Sequence, residues 1–251
     1  MRLINTTTLK LHEFYGTVPQ YAILSHTWGD EEVTLEEFTR DPTGSSAGHK
    51  KIQAASRQAR NDNLDFLWVD TCCIMKSSSA ELSEAINSMF RWYQEAEVCY
   101  VYLVDFEIDY EREVGKFPFE LESAISECRW FTRGWCLQEL IVPRNVRFYD
   151  KEWTLVATKR GWEVELSHMT GIDAKVEDIA YCLLGIFNVN MPMLYGEGEK
   201  AFVRLQEEII KRSNDLSIFG WSNPDAEDHS PTGSTYISLF ADSPSSVHSF
   251  Q

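Results

Sequence analysis

Apolar residues gather in short unbroken runs at 21–24 (Tyr-Ala-Ile-Leu), 65–70 (Asp-Phe-Leu-Trp-Val-Asp), 98–104 and 146–149. Runs of four to seven such residues predict buried strands. The stretches between them have helical character. Residues 50–60 have helical composition, and Ser78-Ser79-Ala80-Glu81 reads as a capping box. The helix that box opens places Leu82, Ile86, Met89, Phe90 and Tyr93 on one face, at offsets 0, 4, 7, 8 and 11. Strands separated by helices must pair in parallel, because parallel neighbours need a crossover. The expected fold is α/β, a parallel sheet flanked on both faces by helices. Its ligand crevice should lie beyond the C-terminal ends of the strands, which carry Ser25-His26, Asp70 and Asp105.

The last hundred residues have another pattern. Residues 176–187 and 199–211 are helical, the second with Phe202, Leu205 and Ile209 on one face. A loop with Pro192, Gly196 and Gly198 joins them. A polar stretch at 224–235 and a late strand at 236–240 follow. The expectation is a single domain over 1–251, with an α/β core at 1–150 and a largely helical extension at 151–251.

Composition narrows the class. With 251 residues and 43 % hydrophobic side chains the chain is globular and large enough for a substantial core. The formal net charge of −16 argues against a nucleic-acid duplex as partner, since phosphates would be repelled over the whole surface. No apolar run approaches the ~20 residues of a membrane span, and Met1-Arg2-Leu3-Ile4-Asn5 has no apolar signal region. The chain therefore reads as cytoplasmic, without a membrane span. Six cysteines (Cys72, Cys73, Cys99, Cys128, Cys136, Cys182) lie among apolar neighbours and read as buried thiols. Cys72 and Cys73 are adjacent, and a strand would point them apart; with no C-x-x-C or H-x-x-x-H spacing, no metal site is expected.

Three places carry candidate chemistry. In Arg133-Gly134-Trp135-Cys136-Leu137-Gln138-Glu139-Leu140, a helix would put Trp135 and Glu139 on one face and turn Leu137, Leu140 and Ile141 toward the core. An aromatic beside one carboxylate can hold a flat ring and stabilise a developing cation; the same spacing equally serves a structural acid paired with Arg133 or Arg129. Ser25 and His26 are successive and point apart, so they cannot form a nucleophile–base pair with each other. A Cys72–His26 dyad across neighbouring strand ends is a hydrolase alternative. Gly196-Glu197-Gly198-Glu199-Lys200 lacks the G-K-[ST] ending of a phosphate loop and reads as a helix-entry turn. The acidic clusters Glu31-Glu32, Glu36-Glu37 and 107–113 read as solvated faces.

Three blocks, Tyr21-Ala22-Ile23-Leu24-Ser25-His26-Thr27-Trp28-Gly29, Trp68-Val69-Asp70-Thr71-Cys72-Cys73-Ile74 and Arg133 to Leu140, resemble the signature blocks of the fungal heterokaryon-incompatibility (HET) domain. The later runs 177–187 and 195–198 resemble the version at the N-terminus of fungal NLR-type receptors. That family is implicated in regulated cell death after non-self recognition. It is distantly similar to Toll/interleukin-1-receptor (TIR) domains: residues 21–26 resemble the first TIR strand, 66–70 the second and 82–86 the following helix. Trp135-Cys136-Leu137-Gln138-Glu139-Leu140 is similar to the W-C-L-x-E-L run of plant TIR domains, in which the glutamate cleaves NAD. Two departures stand out. Met75 replaces an aspartate usual after Cys-Cys-Ile, and a segment that relatives carry between about Ile172 and Glu177 is reduced to Asp173-Ala174-Lys175-Val176.

The resemblance implies a TIR-like, flavodoxin-like sheet and an NAD glycohydrolase, with NAD as substrate and no resident cofactor. It assigns catalysis to Glu139. Around that carboxylate, Trp135 and Trp28 would wall the ribose and nicotinamide, Ser25, His26 and Gly29 at the first strand's end would contact the dinucleotide, Arg133 would meet a phosphate, and Asp70 would position a loop or a ribose hydroxyl or, equally, only cap the following turn. It implies self-association into oligomers that switches activity on, and a nucleotide-binding oligomerisation module after the domain in the full-length protein. The non-enzymatic alternative is a death-signalling module that clusters and recruits partners, with Glu139 a structural acid.

Overall fold

The computed structural model describes residues 1–108, 124–133, 135–161 and, further on, 180–181, 183–185, 187, 189–192, 194 and 196–212. The late strand expected at 236–240, the polar stretch at 224–235 and Cys182 lie outside the described residues. The chain forms two compact units, Met1–Asp173 and Ala174–Gln251.

The first unit is built on a seven-stranded sheet. Its strands are β1 (Arg2–Asn5), β2 (Leu11–Glu13), β3 (Ala22–His26), β4 (Phe66–Val69), β5 (Val98–Tyr102), β6 (Val146–Tyr149) and β7 (Leu155–Thr158). Their order across the sheet is β2-β1-β4-β3-β5-β6-β7. The four strands expected from the apolar runs form the parallel centre: β3 pairs with β4 and β5, and β5 with β6. The expectation of a wholly parallel sheet is corrected at the margins. There hairpin turns rather than helices connect β1 to β2 and β6 to β7, so these pairs are antiparallel, and β1 also lies antiparallel to β4. The sheet also runs past residue 150, where the extension was expected to begin. Every residue of β3 is buried, as a strand flanked by parallel neighbours and covered by helices requires.

The helices are α1 (Leu35–Arg40), α2 (Ala47–Asn61), α3 (Asp70–Cys73), α4 (Ser79–Glu95) and α5 (Cys136–Ile141). Thr34 and Glu37 form a full capping box on α1. At α4 the box is half made: Ser78 accepts from the Glu81 N–H, but the Glu81 side chain turns to the Met75 N–H and to Arg2. The buried stripe of α4 centres on Ala85, Met89 and Tyr93, with Leu82 and Ile86 partly buried against the core. Ile141, expected in the core, is 55 % exposed at the end of α5. Six residues are too few to bury three sides of a helix, and Cys136, Gln138, Glu139 and Leu140 take the inward positions.

The second unit contains α6 (Lys200–Arg212) and helical residues at 180–181 and 183–185. Gly196 and Gly198 take φ of +99° and +59° just before α6, a conformation glycine adopts without strain. Glu197 between them accepts from Tyr181 Oη (2.8 Å) and pairs with Arg204 (2.5 Å). This is the helix-entry turn expected there. Among the described residues no helix is long and apolar enough to cross a membrane.

Candidate functional site

The parallel strands lie in the order second, first, third, fourth, so the chain changes its direction of travel between β3 and β5. Open α/β sheets bind ligands beyond the strand ends at such a switch point. A cleft of about 780 Å³ opens there, its walls including Thr27 and Trp28 after β3 and Tyr102 and Val104 at the end of β5.

Successive side chains at the end of β3 point to opposite faces. Ser25 turns toward α5, where its Oγ donates to Glu139 Oε2 (2.6 Å) and accepts from the indole Nε1 of Trp130 (2.6 Å). Arg133 donates from its two terminal nitrogens to Glu139 Oε2 (3.3 Å) and Oε1 (3.4 Å). Glu139 is 3 % exposed, and a buried carboxylate needs such partners. Trp135 precedes the first residue of α5 with helical backbone angles, and its carbonyl accepts the Glu139 N–H (3.2 Å). The one-turn relation expected between Trp135 and Glu139 therefore holds in the backbone. The Trp135 side chain is half-buried against the core.

His26, 2 % exposed, turns the other way. Its Nε2 lies 3.5 Å from Glu32 Oε2 and 3.8 Å from Asp70 Oδ1. Glu32 Oε1 accepts from the Gly29 N–H (2.8 Å) and pairs with Lys51. Burial alone would raise the Glu32 pKa; the His26 and Lys51 contacts outweigh it and bring it from the usual 4.5 down to about 2. Asp70 Oδ2 accepts from the indole Nε1 of Trp28 (2.8 Å) and faces Lys76 Nζ (3.8 Å). Lys76 in turn stands 3.3 Å above the Trp28 ring. Burial lowers the pKa of both Lys51 and Lys76.

The sequence-derived residues thus fall into two groups. Ser25, Arg133 and Glu139 meet in one hydrogen-bonded set, with Trp135 a turn away. His26, Trp28, Gly29 and Asp70 meet in another, of which Trp28 and Gly29 line the cleft. Glu139 is not among the cleft's lining residues. Sequence reasoning missed Trp130, Glu32, Lys51 and Lys76. Trp130 carried a signal: a buried indole N–H needs an acceptor. The reading of Glu31-Glu32 as a solvated face holds for the exposed Glu31 and is corrected at Glu32. Glu31 accepts from the Ala47 N–H at the start of α2 (3.0 Å), and Glu32 is the half-buried centre of a charge cluster.

The Cys72–His26 dyad is also corrected. The His26 ring faces Glu32 and Asp70. Burial, with Cys73 alongside, pushes the Cys72 thiol well above its usual pKa, and a protonated buried thiol is a poor nucleophile. Among the described residues Cys72, Cys73, Cys99, Cys128 and Cys136 are all free and buried.

Residues 21–118 match the family described as Heterokaryon incompatibility protein (HET), and residues 200–246 match a Domain of unknown function (DUF8212). The chain is 42 % identical over 238 residues to "Vegetative incompatibility protein HET-E-1" of Podospora anserina, a match covering 83 % of this chain and 17 % of that protein. The chain thus spans about a sixth of the length of that relative. No solved structure matches it.

Proposed function

Because the chain belongs to the heterokaryon-incompatibility (HET) domain family, we propose that it is the cell-death effector domain of a fungal non-self recognition receptor, and that when clustered it hydrolyses the nicotinamide–ribose bond of NAD⁺. The order of the four parallel strands supports reading the sheet as flavodoxin-like, of the TIR type. The observation that carries the enzymatic reading is the placement of Glu139: a buried carboxylate, fixed by Ser25 at the C-terminal end of the central strand and one helical turn from Trp135.

One carboxylate is enough for this reaction. Ordinary glycosidases need an acid to protonate a poor leaving group and a second carboxylate. The nicotinamide ring of NAD⁺ is already cationic and leaves neutral, taking the electron pair of the C1′–N bond. Positive charge then develops on the ribose, and a carboxylate held in place stabilises it. Water adds to C1′ and releases a proton, giving ADP-ribose. Ser25 holds one Glu139 oxygen in place. Arg133 must release the carboxylate before ribose can approach it, which fits a domain that is weak alone and active when neighbours rearrange the 129–135 segment.

The test is nicotinamide release from NAD⁺ by the purified chain, dilute and then forced together by fused oligomerisation tags. The rate per protomer should rise steeply with clustering and vanish in Glu139→Gln; a rate that stays flat under clustering counts against the proposal. A second reading has its own support. Glu139 is fully engaged by Ser25 and Arg133 and does not line the cleft, as a structural acid in a non-enzymatic, partner-recruiting death module would be. Folded Glu139→Ala protein that still kills cells would favour it.

A further inference from the structure

The cleft beyond β3 and β5 has a chemistry of its own. On one side α2 presents Lys50, Ala54 and Arg57, spaced i, i+4 and i+7 along one face. The small Ala54 leaves room between the two cations. The other side is aromatic. The Trp153 ring is stacked on Tyr102 with centroids 5.1 Å apart and planes at 18°, and Arg129 stands among the lining residues.

Trp153 has φ of +61°, a left-handed conformation that costs a bulky residue energy. Asp150 holds the turn in that shape by accepting the N–H groups of Glu152 (3.0 Å) and Thr154 (2.8 Å). The result is a fixed aromatic plane at the cleft wall. Two lining cations are neutralised, Lys51 by Glu32 and Lys151 by Glu107. Asp30, Glu31 and Glu152 also line the cleft, yet among the described residues the side chains of Lys50, Arg57 and Arg129 pair with none of them and have no ion-pair partner.

We propose that this cleft is a nucleotide site: an aromatic base lies against the Trp153 plane, and a diphosphate or triphosphate lies among Lys50, Arg57 and Arg129. The site is distinct from the one around Glu139, since none of Ser25, Arg133, Trp135 and Glu139 lines this cleft. It stands whether or not Glu139 cleaves NAD⁺. Base stacking and cation–phosphate contact are individually modest, and together they distinguish a nucleotide from a bare anion or a bare nucleoside.

The experiment is calorimetric titration of the folded chain with ADP, pyrophosphate and adenosine in turn. ADP should bind more tightly than either fragment, and more weakly as salt rises. The exposed charge reversals Lys50→Glu, Arg57→Glu and Arg129→Glu should each weaken ADP binding by about tenfold or more, while Glu139→Gln leaves it within about twofold. Four results would overturn the proposal: no ADP binding at millimolar concentration, pyrophosphate binding as tightly as ADP, charge reversals without effect, or loss of ADP binding in Glu139→Gln. The last would place the nucleotide in the other pocket.

Discussion

Replacing Ser25 by alanine removes one hydroxyl and breaks two bonds at once. Trp130 is fully buried, and its indole N–H would lose its acceptor; an unsatisfied buried donor costs about 1–3 kcal/mol. Glu139 would lose its shortest hydrogen bond, and hydrogen bonds to charged groups contribute about 1.5–3 kcal/mol. The two share one oxygen and polarise each other along the line Trp130 to Ser25 to Glu139, so their costs are not independent. A net destabilisation of about 2–4 kcal/mol is expected, which for a unit of this size lowers Tm by roughly 5–15 °C. The assay is urea and thermal unfolding of wild type, Ser25→Ala, Glu139→Gln and the double variant. The double variant should be more stable than the sum of the two singles predicts, by about 1 kcal/mol or more, because the two side chains act as one unit. A Ser25→Ala change within about 0.5 kcal/mol of wild type, or strict additivity, would refute the arrangement.

Gly48→Ala should destabilise the first unit by about 1–3 kcal/mol, since a Cβ there would sit 2.5 Å from the Glu31 carbonyl oxygen, whereas Gly16→Ala, with open space, should change the unfolding midpoint little. The folded pKa of Glu32 lies below its unfolded value, so its contribution to stability is complete above about pH 4.5 and is lost as pH falls toward 2. Unfolding midpoints of Glu32→Gln should therefore depend less steeply on pH than wild type between about 4.5 and 2, and parallel profiles would contradict this. Cys72 should resist iodoacetamide in the native protein and react only after unfolding, with Cys72→Ala retaining whatever activity the domain has; rapid native labelling read by mass spectrometry would revive the thiol alternative.

How far the sequence could be read depended on run length and on distance along the chain. β3 to β6 were legible because each is a run of buried residues between turn or helix signals. β1, β2 and β7 were not. Three or four residues at a sheet margin are too short to establish a period, and β2 buries none of its residues fully. The candidate carboxylate was legible from its motif, but its environment was not. The Ser25 bonds to Trp130 and Glu139 bridge 105 and 114 positions, and no local pattern encodes contacts at that separation. The Glu31-Glu32 pair shows the opposite failure. Adjacent acids look like a solvated face, yet the loop after β3 leaves only Glu31 exposed and turns Glu32 onto His26 and Lys51.

The most direct measurement is nicotinamide released per protomer from NAD⁺, followed as the chain is driven from dilute monomer to enforced oligomer, with Glu139→Gln confirmed folded by circular dichroism alongside. Wild type should show a steep rise, and the variant no release at any degree of clustering. Equal release from both proteins, or none from tightly clustered wild type that still triggers cell death, would contradict the catalytic role assigned to Glu139.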